Sequence, residues 1–158
     1  MTAWTDFLVS RGAQFDNGAV TGFGDSAAEL AATRSQTVVA DLSHYGLIAF
    51  SGEDTQTFLH GQITNDLRVL KESTAVFAAY LSPKGRMLAN FLVMRRGDDV
   101  LVMLPEALRE SIQKRLSMFI LRSKVKGRDA GPEWVRLGVD GADAASLIAD
   151  ILTTAAPV

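Results

Sequence analysis

Few side chains in this sequence have the type and spacing for chemistry, and most can be set aside on inspection. His44 and His60 are the only histidines. They lie 16 positions apart and neither has a carboxylate at metal-ligand spacing, so they read as turn or surface residues. The absence of cysteine removes disulfides, thiolate metal sites and thiol nucleophiles from these residues. No Gly-x-Ser-x-Gly occurs, which argues against triad chemistry, and Gly22-Phe23-Gly24 is too short for a dinucleotide fingerprint. Lys124, Lys126 and Arg128 alternate as one basic row. That row is either a solvated face or a contact for an anionic ligand tail. Asn90 is different. With strand periodicity, Leu88, Asn90, Leu92 and Met94 share one face, and Met87, Ala89, Phe91 and Val93 share the other. Both faces are apolar, so the strand is expected to be central and the Asn90 amide to be buried or to line a cavity. An amide buried without partners costs roughly 1–3 kcal/mol. Two readings stay open: a core asparagine bonded to backbone, or a ligand hydrogen bond in a mostly apolar pocket.

The elements that would hold these residues follow from periodicity and turn chemistry. Residues 2–11 predict a short amphipathic helix with Trp4, Phe7 and Leu8 on one side. Residues 14–24 read as loop or short strand. A helix over 25–34 would be capped by Asp25 or Ser26. Short apolar runs at 37–42 and 46–51 are of strand type. Ser51-Gly52-Glu53-Asp54 fits a capping box, opening a helix that carries Phe58 and Leu59 and ends at the turn formers Asn65 and Asp66. An antiparallel meander follows over 75–81, 86–96 and 100–104. Its first turn, Ser82-Pro83-Lys84-Gly85, suits type I. Pro105 then starts a helix at its first position. The buried stripe of that helix is Leu108, Ile112, Leu116, Phe119 and Ile120, with Glu106–Arg109 and Glu110–Lys114 pairs on the wet face. Residues 123–128 and 134–139 predict two more strands. Ala144, Leu147, Ile148, Ile151 and Leu152 mark a last helix, and residues 153–158 form a featureless tail. A meander with helices on one of its faces is the α+β class: an antiparallel-rich sheet with helices packed on it.

Composition narrows the function classes. The chain has 158 residues, 47% hydrophobic and 22% charged, with a net charge of −2. That length supports one domain with a core. The charge gives no case for nucleic acid or an anionic membrane surface. No apolar run approaches the roughly 18 residues of a membrane span, and the first ten residues lack the features of a signal peptide. A cytoplasmic location is the expectation.

Four segments carry a resemblance. Asp41-Leu42-Ser43-His44-Tyr45-Gly46, Ser51-Gly52-Glu53-Asp54, Phe58-Leu59-His60-Gly61-Gln62-Ile63-Thr64-Asn65-Asp66-Leu67 and Pro83-Lys84-Gly85-Arg86-Met87-Leu88 occur in the order and spacing of the glycine-cleavage T-protein superfamily. Phe-Leu-x-Gly-Gln-x-Thr-Asn-Asp and Pro-x-Gly-Arg/Lys resemble its YgfZ-type branch, the folate-binding proteins of iron–sulfur cluster maintenance. The likeness covers residues 37–128. It implies a tetrahydrofolate site. In T-proteins a Gly-Gly-x-x-Asp-Asp strand follows the hairpin, and its second Asp is the catalytic acid. Here that position is Asn90 and the preceding one Ala89. Asparagine cannot ionise, so the carboxylate's role is missing. This weighs against an enzyme, and no catalytic residue is assigned. Asn90 would instead be a neutral partner for the pterin or its linker. Tyr45, Phe77 and Met94 fall on positions that line the folate pocket, Phe77 and Met94 replacing tyrosines. A ring such as Phe77 stacked on a pterin contributes roughly 0.5–1.5 kcal/mol beyond area. The alternative for all three is core packing. Gln62, Thr64, Asn65 and Asp66 are expected to fix the helix exit by side-chain-to-backbone bonds.

YgfZ-type proteins also carry a Lys-Gly-Cys-x-x-Gly-Gln-Glu motif that this chain lacks. Residues 1–158 are therefore expected to be a single folate-binding-like domain, the N-terminal part of a longer protein. The implied function is tetrahydrofolate binding in iron–sulfur cluster assembly or repair, with iron–sulfur enzymes or assembly proteins as partners and neither nucleic acid nor membrane. Two alternatives stand: a folate-dependent aminomethyltransferase-like enzyme, and a ligand-free interaction scaffold. A filled pocket around Phe77 and Met94, with Asn90 bonded only to backbone, would favour the scaffold.

Overall fold

The computed structural model describes residues 3–72 and 74–152. In chain order the elements are α1 (Ala3–Ser10), β1 (Gln14–Asp16), β2 (Ala19–Gly22), α2 (Ser26–Ser35), β3 (Val38–Asp41), β4 (Tyr45–Ser51), α3 (Thr55–His60), β5 (Ala75–Leu81), β6 (Met87–Arg96), β7 (Asp99–Pro105), α4 (Glu106–Ser117), β8 (Lys126–Asp129), β9 (Leu137–Asp140) and α5 (Ala144–Leu152). Single 3-10 turns lie at Leu67–Val69 and Gly131–Glu133. All strand pairs are antiparallel, as the α+β expectation requires. The elements group into two compact units, one from the two ends (through His44 and from Val135) and one from the continuous stretch Tyr45–Trp134.

The unit made from the two ends holds two small antiparallel ribbons, β1–β2 and β3–β9. Asp25 caps α2 by accepting from the Ala28 amide at 2.9 Å. The Trp4 and Phe7 rings stack at 5.3 Å, and Trp4 Nε1 donates to Asp41 Oδ1 at 2.9 Å. The expected apolar side of α1 is only partly realised: Leu8 is buried and Phe7 is exposed. The expected last helix forms as α5 but buries none of its residues. Among the described residues Leu8 is the only buried apolar side chain of this unit. Position 2 and the tail over 153–158 lie outside the described residues.

The continuous unit is a five-stranded sheet in the order β5-β6-β7-β4-β8. Its main core lies on one face. Ile48 and Phe50 of β4, Ala78 and Tyr80 of β5, Ala89, Phe91 and Val93 of β6, and Val100, Val102 and Leu104 of β7 pack there with Phe58 and Leu59 of α3 and Ile112 and Leu116 of α4. Alternation places the remaining side chains on the opposite face, where Leu47, Ala49, Leu101 and Ala130 form a smaller cluster bordered by Met94 and Met103. The expected turn closes with the Gly85 amide on the Ser82 carbonyl at 2.9 Å. Gly46 lets α4 press on β4, since a side chain there would strike Glu106 and Arg109.

Four local expectations change. The capping box at Ser51 does not form. Asp54 is the N-cap but makes no side-chain cap bond, because its Oδ2 accepts from the Lys124 amide at 2.7 Å. Pro105 is the N-cap of α4 with ψ 131°, one position before the helix proper. That helix ends at Ser117, so Phe119 lies beyond it and is exposed rather than in the stripe. Glu106 pairs with Arg109 at 2.8 Å as expected, whereas no Glu110–Lys114 pair occurs among the described ion pairs. Finally, a bulge pairs Leu81 with Met87 and skips Leu88, which packs on the main core rather than with Asn90.

Candidate functional site

β6 is flanked by β5 and β7, but only one of its faces is covered throughout. Asn90 is exposed, so of its two expected placements, buried or lining a cavity, burial is not realised. The apolar composition of both faces reflects a core on one side and an open apolar surface on the other. Among the described hydrogen bonds none involves the Asn90 side chain, so its donors and acceptor are uncommitted.

Register defines the geometry of that open face. Phe77 pairs with Leu92, Leu92 with Met103 and Met103 with Leu47, giving one row across four strands. Asn90 and Tyr45 stand two residues to one side of that row, and Met94 stands two residues to the other. Phe77 is therefore diagonal to both Asn90 and Met94 on the neighbouring strand, within reach of an aromatic side chain. Tyr45 is two strands from Asn90, about 10 Å away. The structure thus puts all four expected residues on one face, three of them clustered and Tyr45 apart. Phe77 is 78% exposed and Met94 half-buried. Met103 and Leu92 complete the surface. Met103 was missed because only the pairing register reveals its place beside Leu92.

The polar residues before β5 act as the sequence suggests. Asn65 Nδ2 donates to the Phe77 carbonyl at 2.8 Å. The Thr64 amide donates to the Ala79 carbonyl at 3.0 Å, and the Ala79 amide donates to Thr64 Oγ1 at 2.9 Å. These bonds cover the outer edge of β5 and hold Phe77 in register. Asp66 accepts from the Arg68 amide and guanidinium, and those bonds hold its carboxyl well below the usual carboxylate range. No ligand-facing role for Asp66 is indicated by this arrangement. The basic row is largely neutralised. Lys124 pairs with Glu53 at 2.7 Å. Arg128 lies between Asp99 and Glu133, with contacts from 2.8 to 3.1 Å. Its guanidinium lowers the pKa of both carboxylates, and they raise its own. Arg128 and Lys124 are therefore engaged by acids rather than offered to an anionic ligand. Among the described residues no cluster of His, Asp and Glu could hold a metal ion.

The profile of the GCVT N-terminal domain family matches residues 7–157. This chain belongs to that family. The resemblance seen in the motifs is thereby borne out, and a GCVT N-terminal domain explains the fold. Among relatives of this GCVT domain, a "tRNA-modifying protein YgfZ" from Colwellia psychrerythraea is 32% identical over 113 residues, 72% of this chain and 35% of that protein. An "Aminomethyltransferase" from Rubrobacter xylanophilus is 31% identical over 121 residues, covering 77% and 32% of the two chains. An "Iron-sulfur cluster assembly factor IBA57 homolog, mitochondrial" of Mycosarcoma maydis is 29% identical over 127 residues, covering 71% and 32%. The chain thus spans about a third of the length of these relatives. The crystal structure of glycine cleavage system aminomethyltransferase T from Bartonella henselae shares the fold, with a TM-score of 0.79 over 93% of this chain and 42% of that one, at 21% identity. No helix among the described residues is long and apolar enough to cross a membrane.

Proposed function

We propose that this GCVT domain contributes the pterin-facing sheet of a cytoplasmic tetrahydrofolate-binding protein that takes part in iron–sulfur cluster assembly or repair. The observation that carries the folate reading is the open sheet face, where Phe77, Asn90 and Met94 cluster and Tyr45 stands two strands away. The residues fit such a ligand. Phe77 offers an exposed ring for stacking, Asn90 has an uncommitted amide that both donates and accepts, and Leu92, Met94 and Met103 supply apolar floor. Bound tetrahydrofolate would supply a reduced ring able to carry one-carbon units. The chain's own residues would bind and orient it. Position 90 has no carboxylate, and Asp99, on the same face by alternation, is engaged by Arg128. The iron–sulfur part rests on the relatives' names. Their two printed roles agree if the cluster-bearing target is itself a tRNA-modifying enzyme, so direct nucleic-acid binding is not required of a chain with net charge −2. A single domain over all 158 residues, as the N-terminal part of a longer protein, belongs to the same proposal.

The aminomethyltransferase reading is favoured by the Rubrobacter relative and opposed by Asn90. An assay for methylene-tetrahydrofolate production separates the two. The scaffold reading would be favoured by a filled site with Asn90 bonded to backbone; the exposure of Phe77 and Asn90 lends it no support. Titration of the chain with 5-formyltetrahydrofolate by calorimetry tests folate binding. Saturable binding is expected, weakened about fivefold by Asn90→Leu through the loss of roughly 1 kcal/mol of hydrogen bonding, with an unchanged unfolding midpoint. Equal affinity in the variant would remove Asn90 from the site.

A further inference from the structure

The β5–β6 hairpin separates its charges along its length. Residues 73–97 contain no aspartate or glutamate but include Lys84, Arg86, Arg95 and Arg96. The acids nearest in sequence, Glu72 and Asp98, lie at the end away from the Pro83–Gly85 turn, where Glu72 accepts from the Gly97 amide at 2.9 Å. Arg95 and Arg96 belong to that same end. Arg95 donates to Gln56 and to the Gly97 carbonyl. Arg96 lies over the Trp134 ring at 5.8 Å and opposite Asp99 in register. The cations there stand among acids. At the turn, Lys84 and Arg86 are exposed and have no acid partner among the described ion pairs.

The segments beside this end of the hairpin bring no acid to offset them among the described contacts. β6 pairs with β7 only from Leu92 onward, so the stretch near the turn stands clear of β7. On the β5 side the neighbours are Ile63 and Thr64. The α4 residues that line a hollow with Leu88 include the cations Lys114 and Arg115 and no carboxylate, and Glu110 does not line it. The turn is also continuous with the open sheet face. Leu81 alternates with Phe77 and Ala79 on that face, and Met87 pairs with Leu81; both are exposed. From Asn90 to Arg86 the strand runs no more than about 13 Å. Asn90 is thus followed by an apolar step, Leu81 and Met87, and then by two unpaired cations.

We propose that Lys84 and Arg86 are the subsite for the ionised carboxylates of the ligand's tail, so that the open face takes a pterin bearing glutamate residues and holds it more tightly with each further glutamate. The inference rests on the folate reading above and gives the ligand a direction. The ring lies at Phe77 and Asn90, the benzoyl group over Leu81 and Met87, and the carboxylates at the turn. An arginine fork takes a carboxylate through two parallel bonds, and the lysine ammonium adds a point charge on a long flexible stem. The reverse direction would set the carboxylates beside Asp99 and Glu133, which already share Arg128.

The test is calorimetric titration of the chain with 5-formyltetrahydrofolate as its monoglutamate and as its triglutamate. The triglutamate should bind about fivefold more tightly, an advantage of the size that exposed ion pairs supply, and salt at about 0.5 M should erase it. Lys84→Gln combined with Arg86→Gln should bring the two ligands to equal affinity. The exchanged pair, Lys84→Arg with Arg86→Lys, should keep the advantage. Asn90→Leu should weaken both ligands alike and leave their ratio intact. Equal affinity of the two ligands for the parent chain overturns the proposal, as does an unchanged ratio in K84Q/R86Q; in either case the folate reading stands. Failure of both ligands to bind overturns the folate reading and this inference with it.

Discussion

Adding one methyl group at position 52 probes how the sheet is clasped to the segment before β8. Gly52 has φ +121°, and its missing Cβ would fall on the carbonyl oxygen of Lys124. The same two segments exchange bonds: the Lys124 amide donates to Asp54 Oδ2 at 2.7 Å and the Asp54 amide donates to the Lys124 carbonyl at 3.5 Å. Gly52→Ala therefore has two costs. The dihedral strain is about 1–3 kcal/mol. Displacing the Lys124 carbonyl weakens the charge-assisted bond to Asp54, worth about 1.5 kcal/mol. Together they amount to about 2.5–4.5 kcal/mol, a large share of a typical domain's stability. For a chain of this size that lowers the melting temperature by about 5–18 °C. Gly85→Ala is the matched control. Gly85 has φ +74° but nothing within 4 Å of its missing Cβ, so only strain of about 1 kcal/mol applies. Thermal and urea unfolding followed by circular dichroism compares the two. If G52A loses no more than G85A, the clasp does not hold β4 to the segment before β8 and the steric reasoning fails.

Two further outcomes follow from the ion pairs and the edge bonds. Asp99 and Glu133 have pKa values lowered by Arg128. Their stabilisation is present above their unfolded values and lost as pH falls through the lowered folded ones, so Arg128→Met should flatten the acid side of the stability profile below about pH 5. Unfolding midpoints of the two proteins that fall in parallel with acid would contradict this. Asn65→Ala removes the bond to the Phe77 carbonyl and should cost about 1 kcal/mol. Hydrogen exchange should rise along β5 but not along β7, and uniform protection in the variant would show that the β5 edge does not depend on Asn65.

Local chemistry made several elements legible. The Pro83–Gly85 turn, the Asp25 cap and the alternation of β5–β7 are dictated by residues adjacent in sequence, and each appears at its expected place. The site face was legible in the same way, since alternation alone sets Asn90, Leu92 and Met94 together. The expectations that failed depended on distant partners. Asp54 resembles a capping-box acid, but its partner is 70 residues away. Lys124 and Arg128 look like a free basic row until Glu53, Asp99 and Glu133 arrive from other segments. Of the two placements expected for Asn90, buried or lining a cavity, burial fails because an apolar strand does not say which of its faces will be covered. Leu88 left its face because a bulge breaks the count of two.

The way the two units draw on the chain bears on how the polypeptide is made. Residues Tyr45–Trp134 are continuous, whereas the other unit needs both ends, because among the described residues β3 pairs only with β9. During synthesis the five-stranded sheet has all its strands once β8 has emerged. By contrast, β3 is translated early and has no strand partner until residues 137–140 leave the ribosome. Maturation order therefore inverts chain order: the middle is ready to fold first, while the start waits. At about 5–20 residues per second the interval from β3 to β9 lasts about 5–20 seconds, and throughout it Val39 presents an unpaired strand to any chaperone that binds nascent chains.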